Sequence, residues 1–259
     1  KNLLDAGSGS LGGARPKASV RDGERLLIAK FPHQDDAWDV MAWEATALDL
    51  AERAGITVPG HRVTRVGGRT VLVIDRFDRT PEGHRLAYVS AMTLLGRSDG
   101  DVADYTDICD AITDEGAATT ADLEALWRRV AFSVAIHNTD DHLRNHGFTR
   151  APGGWTLAPL FDVNPEPDAT KPRVTGIDGA RTIADEPLGL ESLAVECRLP
   201  TDRRVAIARQ VLDAVADWRT VASGHGVSVA EASRFVASFE AGARALGAER
   251  HKGDAHPGG

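Results

Sequence analysis

No apolar run in the 259 residues approaches the roughly 20 needed to cross a bilayer, and no charged-then-apolar signal segment opens the chain. These absences argue against a spanning helix and a secretory leader, and favour the cytoplasm. Cysteine is scarce. Cys109 and Cys197 stand far apart with no Cys-x-x-Cys partner, so neither a disulfide framework nor a thiolate zinc site is indicated, and two reduced, packed thiols are expected. Basic charge is not in excess either. A formal net charge of −8 argues against a surface that holds nucleic acid mainly by phosphate attraction, although a local basic patch remains compatible with it. There is no long internal repeat.

What is present is ordinary for a globular protein: 42% hydrophobic and 26% charged residues, in a chain long enough for one large domain or two lobes. The first residue is Lys1 rather than Met, which points to a fragment or a processed product. The opening "DAGSGSLGGARPKAS" is rich in Gly and Ser, and so permits unusual backbone angles and close approach to a ligand. "ASV" and "RLLIAKF" flank "RDGE" and read as a hairpin with Lys30 in its second strand. From Ala37 to Ala54, Trp38, Met41, Ala45, Leu48 and Ala51 recur at three- and four-residue steps before Gly55, the pattern of a helix with one apolar stripe. "HRVTRV" and "RTVLVIDRF", joined by Gly67-Gly68, predict a second hairpin. Beyond Pro81 the pattern turns helical, at about 90–97, 104–113, 121–137, 203–222 and 229–246. The expected organisation is therefore a sheet-and-helix part over residues 1–80, a helical part over 81–248 and a polar, Gly-rich, disordered tail over 249–259.

Gly7, Gly9 and Gly12 fit G-x-G-x-x-G. In a dinucleotide domain that motif follows a strand and has an acidic residue about 20 positions on. Here a strand follows it, and Lys30 stands near that distance. Glycine loop, strand, lysine is the order used by kinases, in which the loop covers ATP phosphates and an acidic residue on the next helix holds the lysine. Glu44 is the candidate for that partner. Taken alone, each feature has a plainer reading: a flexible turn, an exposed strand-end lysine, a solvated glutamate.

The densest stretch is "HNTDDHLRNHGF", His137 to Phe148. Asp140 and Asn145 give D-x-x-x-x-N, a pair that phosphoryl transfer uses as the base for a hydroxyl proton and as a magnesium ligand. Asp162, in "WTLAPLFDVNP", arrives after a hairpin as a second oxygen ligand, the donor type that a hard cation prefers. A competing metal site would use His142 and His146 with His137 or Asp141. A polar helix terminus with capping Asn and Asp is the third reading.

Together, "SLGGARPKASV", "AKFP", "WEATALDLAERAGITVP", "DRFDR", "NTDDHLRNHGF" and "LFDVNP" resemble successive signatures of HipA-like serine/threonine kinases, the toxin half of bacterial HipA–HipB type modules. The resemblance runs from about Gly9 to Pro165, and the helices beyond Leu188 fit in character only. It implies an α+β, two-lobed, protein-kinase-like fold, with a small antiparallel sheet lobe and a mainly helical C-terminal lobe. It implies a phosphate loop of Gly12, Gly13, Ala14, Arg15, Pro16 and Lys17, phosphate contact by Lys30, and an adenine-binding hinge at Asp75, Arg76 and Phe77. Asp140 would be the catalytic base. His142 and Asn145 would reach the nucleotide or its metal, and Phe161 and Asp162 would complete the site. Ser10 matches a serine at which such kinases autophosphorylate, and Ser8 makes the S-x-S arrangement of short members.

The implied activity is an ATP- and Mg²⁺-dependent protein serine/threonine kinase acting as a toxin, with an aminoacyl-tRNA synthetase as a target. The implied partner is a HipB-like helix-turn-helix antitoxin, so that DNA is met only indirectly. Two alternatives stand beside it: a small-molecule phosphotransferase, and a catalytically silent partner of a DNA-binding protein. Full-length members carry a further N-terminal subdomain before the glycine loop. Nothing here corresponds to it, so it is expected to be lost from this piece or supplied by a separate small protein.

Overall fold

The computed structural model describes residues 15–80 and 82–249. Gly7, Ser8, Gly9, Ser10, Gly12, Gly13 and Ala14 lie outside the described residues, as do Pro81 and the stretch after Glu249.

The N-terminal lobe is built from β1 (Lys17–Asp22), β2 (Arg25–Lys30), α1 (Val40–Arg53), β3 (His61–Val66) and β4 (Arg69–Asp75). Both expected hairpins form. Gly67 and Gly68 take φ of 57° and 79°, the left-handed pair that a two-residue turn matched to strand twist requires. The sheet order is β1-β2-β4-β3, antiparallel throughout. Alternation along β4 sends Val71 and Val73 into a small cluster with Leu27 and Ala29, while Leu72 and Ile74 join the main core. Lys30 pairs with Leu72. Residues directly opposite across a ladder share a face, so Lys30 points toward the core side, where α1 packs.

Helix α1 is capped by Asp39, whose carboxylate accepts from the Ala42 amide at 3.1 Å. The stripe predicts one buried face, but burial runs almost all round and includes Trp43, Glu44, Thr46 and Ala47. The reason is a second layer. The sheet covers one side, and Trp218, Phe235 and Phe239 cover the other, with the Trp43 and Phe235 ring centroids 3.8 Å apart.

The C-terminal lobe contains β5 (Tyr88–Ser90), α2 (Ala91–Leu94), β6 (Ala103–Asp104), α3 (Tyr105–Glu115), α4 (Thr119–Ala135), β7 (Gly147–Ala151), β8 (Gly154–Leu157) and β9 (Thr175–Gly176). It continues with α5 (Glu186–Glu196), α6 (Thr201–Val215), α7 (Trp218–Gly224), α8 (Val229–Ala232) and α9 (Val236–Gly247). The helix expected at 90–97 shrinks to one turn, ended near Gly96 at φ 62°. The one expected at 203–222 divides into α6 and α7, and the last divides into α8 and α9 around a 3₁₀ turn, Ser233–Phe235. Helix α5 is not among the expected elements, because its apolar residues are spread around it, with Leu188 and Val195 over 70% exposed.

Helix α4 is the central post of this lobe, with twelve buried residues out of seventeen. Helix α9 approaches it at Gly242, where a Cβ would lie 2.2 Å from the Val134 carbonyl oxygen. Cys109 and Cys197 are buried free thiols with their sulfurs 3.4 Å apart. Glu249, expected to begin the tail, is buried against Arg204 at 2.8 Å. Among the described residues no helix is long and apolar enough to cross a membrane.

Candidate active site

A cleft of about 600 Å³ opens between the two lobes. Arg15, Lys17, Lys30 and Glu44 line it from the sheet side. Asn138, Thr139, Asp140, His142 and Asn145 line it from the loop after α4, and Phe161, Asp162 and Asn164 from the segment after β8.

At its base, Lys30 Nζ donates to Glu44 Oε1 at 2.5 Å and to Asp162 Oδ1 at 3.0 Å. The Asp162 amide donates to the same Glu44 oxygen at 3.2 Å. Asn145 Nδ2 reaches the backbone carbonyls of Asp140 and Asp162, each at 3.3 Å. One polar chain thus runs from β2 through α1 to both C-lobe loops. Asp162 sits at φ 57°, a left-handed conformation that costs a non-glycine residue on the order of 1–3 kcal/mol and that its bonds must hold in place.

Burial opposes the charge on Lys30, but Glu44 and Asp162 outweigh it and hold the ammonium above its ordinary value. Burial pushes Glu44 up, and Lys30 offsets part of that rise. Burial also works against Asp162, yet the charges of Lys30 and Lys17 bring its carboxyl down to about 2. The cleft therefore presents an ionised carboxylate beside a fixed ammonium at neutral pH.

The loop after α4 turns at His137, which has φ 53°. His137 is buried, its Nε2 lies 2.9 Å from the Asp168 carbonyl, and burial lowers its pKa so that the ring is neutral. Asp140 is exposed to the cleft, whereas Asp141 is buried. Tyr105 Oη donates to Asp141 Oδ2 at 2.6 Å, His146 Nε2 stands 3.1 Å from Oδ1, and Thr175 Oγ1 donates to the Asp141 carbonyl at 2.6 Å. Burial raises the Asp141 pKa, but His146, Tyr105 and Arg173 more than reverse it.

The histidine metal site does not form. His146 is fully buried with its ring edge-on to Tyr105 at 5.5 Å, while His142 faces the cleft. Among the described residues no group of three or more His, Cys, Asp or Glu is placed to hold a metal. Asp75, Arg76 and Phe77 do not line the cleft. Asp75 pairs with Arg25 and Arg76 with Asp78, while the Phe77 ring packs against two residues that do line it, Phe161 at 5.5 Å and Tyr88 at 5.9 Å. In the expected phosphate loop, Arg15 pairs with Asp36 at 3.0 Å, the Pro16 carbonyl accepts from Phe31, and Lys17 lines the cleft.

Sequence reasoning missed Tyr105, Thr175 and the buried Arg173–Glu186 pair, joined at 2.8 Å. Arg173 also approaches Ser133 Oγ and the Asn138 carbonyl, and so braces the loop from behind. No local signal announces these contacts, since each joins residues 13 to 40 positions apart.

A small antiparallel sheet over a helical lobe, with a lysine held by a helix glutamate and a cleft aspartate, is the architecture of a kinase-type phosphotransferase. The chain belongs to the HipA-like C-terminal domain family, whose sequence profile matches residues 9–219. In structure it is similar to a chain of the Shewanella oneidensis MR-1 toxin–antitoxin complex of HipA, HipB and operator DNA. The TM-score is 0.70 and the identity 18%, over 96% of this chain and 67% of that one. It is also similar to the Helicobacter pylori proinflammatory kinase CtkA, with a TM-score of 0.71 and 15% identity over 93% of this chain and 92% of that one. No curated protein matches it in sequence.

Proposed function

We propose that this HipA-like kinase transfers the γ-phosphoryl group of ATP to a serine or threonine hydroxyl of a protein, and that it does so with Mg²⁺. The observation that carries this reading is the convergence of Lys30, Glu44 and Asp162 on one point of the cleft, with Asn145 bonded to the backbone of both Asp140 and Asp162.

Lys30, held by Glu44, presents a fixed ammonium to the phosphates, joined by Lys17 and Arg15 at the cleft wall. Tyr88 and Phe161 offer an aromatic wall for the base, and Phe77 packs against both. Asn145 and Asp162 supply oxygen donors, and an ionised Asp162 suits a hard cation that keeps most of its remaining positions for water and phosphate. A magnesium ion held there would neutralise charge on the phosphates. Asp140, exposed beside this cluster, takes the proton of the attacking hydroxyl, and His142 contacts the nucleotide.

The toxin role, a translation-related target such as an aminoacyl-tRNA synthetase and a HipB-like helix-turn-helix partner belong to the same proposal. They are supported by family membership and by the likeness to the Shewanella complex. Self-inactivation would place a phosphate, with about −1.5 to −2 charges, on Ser10 or Ser8 in a loop meant to hold other phosphates. Mass spectrometry after incubation with ATP tests it, and an unmodified loop refutes it.

The central experiment incubates the protein with labelled ATP, Mg²⁺ and cell lysate. Labelled protein bands are expected, and label confined to small molecules would favour a small-molecule phosphotransferase. Asp140→Asn should lose transfer by ~10²–10⁴-fold while still binding nucleotide. Transfer at wild-type speed would remove Asp140 from its role.

A further inference from the structure

Strands β6 and β9 run parallel, with Ala103 opposite Thr175 and Asp104 opposite Gly176. Val102 and Val174 are the residues that lead into this ladder, one on each strand. Ala103 and Thr175 point inward and are buried, so alternation turns both valines out, 77% and 46% exposed. Single exposed valines are common and need no explanation. The segment that carries Val174 is bound to the backbone on either side of the exposed Asp140. The Val174 amide donates to the Thr139 carbonyl at 2.8 Å, and Thr175 Oγ1 donates to the Asp141 carbonyl at 2.6 Å.

At Val174 and Ala103 the backbone groups that an added strand would need are already bonded. The Val174 amide is spent on Thr139, its carbonyl accepts from Arg181 Nη1, and Arg181 Nη2 donates to the Ala103 carbonyl at 2.9 Å. Whatever docks must do so through side chains. The adjoining loop adds charge. Asp99 is paired with Arg144, but among the described residues no cation pairs with the exposed Asp101, whose Oδ2 accepts only from the Ser98 amide at 2.7 Å.

We propose that Val102 and Val174 dock the acceptor polypeptide, receiving one of its apolar side chains while a neighbouring Lys or Arg meets Asp101. This rests on the kinase reading above and names the kind of acceptor that the same site takes. A small-molecule acceptor in the cleft has no second side chain to place on this surface. A polypeptide whose hydroxyl reaches Asp140 must pass close by it.

The test is a positional-scanning library of Ser/Thr peptides with labelled ATP and the whole chain. Wild type should favour Val, Leu or Ile roughly tenfold at one fixed distance from the hydroxyl, and Lys or Arg at a position close to it. Val102→Thr/Val174→Thr, a near-isosteric change at exposed positions, should flatten the apolar preference to within about twofold, the residue of one lost methyl contact at each valine. Asp101→Asn should erase the basic preference. Nucleotide affinity by calorimetry and the melting temperature should be unchanged in both variants. A wild-type profile with no apolar preference, or one unmoved in the double variant, overturns the docking site. A chain that binds ATP and labels peptides uniformly overturns docking alone, whereas a chain that binds no ATP overturns the kinase reading with it.

Discussion

Asp140 and Asp141 are neighbours in the chain and opposites in environment. Asp140 is exposed to the cleft, and Asp141 is buried with one oxygen 2.6 Å from the Tyr105 hydroxyl and the other 3.1 Å from His146. The fixed carboxylate anchors the loop on which the free one is carried.

Tyr105→Phe removes a hydrogen bond to a buried, ionised carboxylate and should cost about 1–3 kcal/mol at neutral pH. The folded pKa of Asp141 lies below its ordinary value, so its contribution is complete above about pH 3.9 and disappears as pH falls through the folded value. Losing the Tyr105 bond raises that folded value. Urea melts of wild type and variant should therefore converge on acidification. A difference that stays constant with pH would mean that the hydroxyl acts through packing alone.

Glu44→Gln leaves Lys30 buried with only Asp162 as counter-charge. Removing one partner of a buried pair typically costs about 3–5 kcal/mol, and the remaining carboxylate should reduce that. The double variant Lys30→Met/Glu44→Leu should recover stability toward wild type and remain inactive in phosphoryl transfer. Recovery of activity with stability would show that the pair is structural.

Asp49 on α1 accepts from His61 Nε2 at 2.9 Å and His225 Nε2 at 2.7 Å, tying β3 to the end of α7. Hydrogen bonds from His225 and His61 hold its carboxyl well below the usual range, and the Asp49 bond raises His61. The carboxylate contributes above about pH 3.8 and the imidazolium below about pH 6.5, and each contribution fades beyond its folded value. The stability difference between wild type and Asp49→Asn should thus be greatest between about pH 4 and 6.5, as read by denaturant melts from pH 3 to 9. A flat difference would rule out an ionic contribution from this clasp.

Gly242→Ala would put a Cβ 2.2 Å from the Val134 carbonyl and 2.7 Å from that of Ala135. Helix α9 must move off α4, at a cost of roughly 1–3 kcal/mol or more. Gly224→Ala, with nothing within 4 Å, is the control and should be neutral or slightly stabilising. Thermal melts of the two variants make the comparison, and equal melting temperatures would deny the close approach.

Much of this is legible in the sequence. The Gly-Gly and Asp-Gly turns marked the hairpins, because few residues take their φ values cheaply, and the stripe from Trp38 to Ala51 marked α1. Lys30 and Glu44 could be paired by kinase order alone, and the structure brings them together at 2.5 Å. What stayed hidden depends on contacts distant in sequence. Tyr105 looks like any helix-starting aromatic until the fold brings Asp141 to it from 36 positions away. Helix α5 had no periodic face to read, and Trp43 gave no hint that a second layer would cover it. The histidines of "HNTDDHLRNHGF" misled for the same reason, since spacing alone cannot separate His142 in the cleft from His146 in the core.

The burial of α1 on both sides has a consequence for control. The helix that carries Glu44 is clamped by Trp218, Phe235 and Phe239 and pinned by Glu231, which accepts from Trp43 Nε1 at 2.8 Å. A switch that swings this helix would have to tear open the aromatic core of the other lobe. The ion pair at Lys30 is therefore set when the protein folds, and damage to helices α7 to α9, none of whose residues line the cleft, will be felt as lost alignment at Lys30.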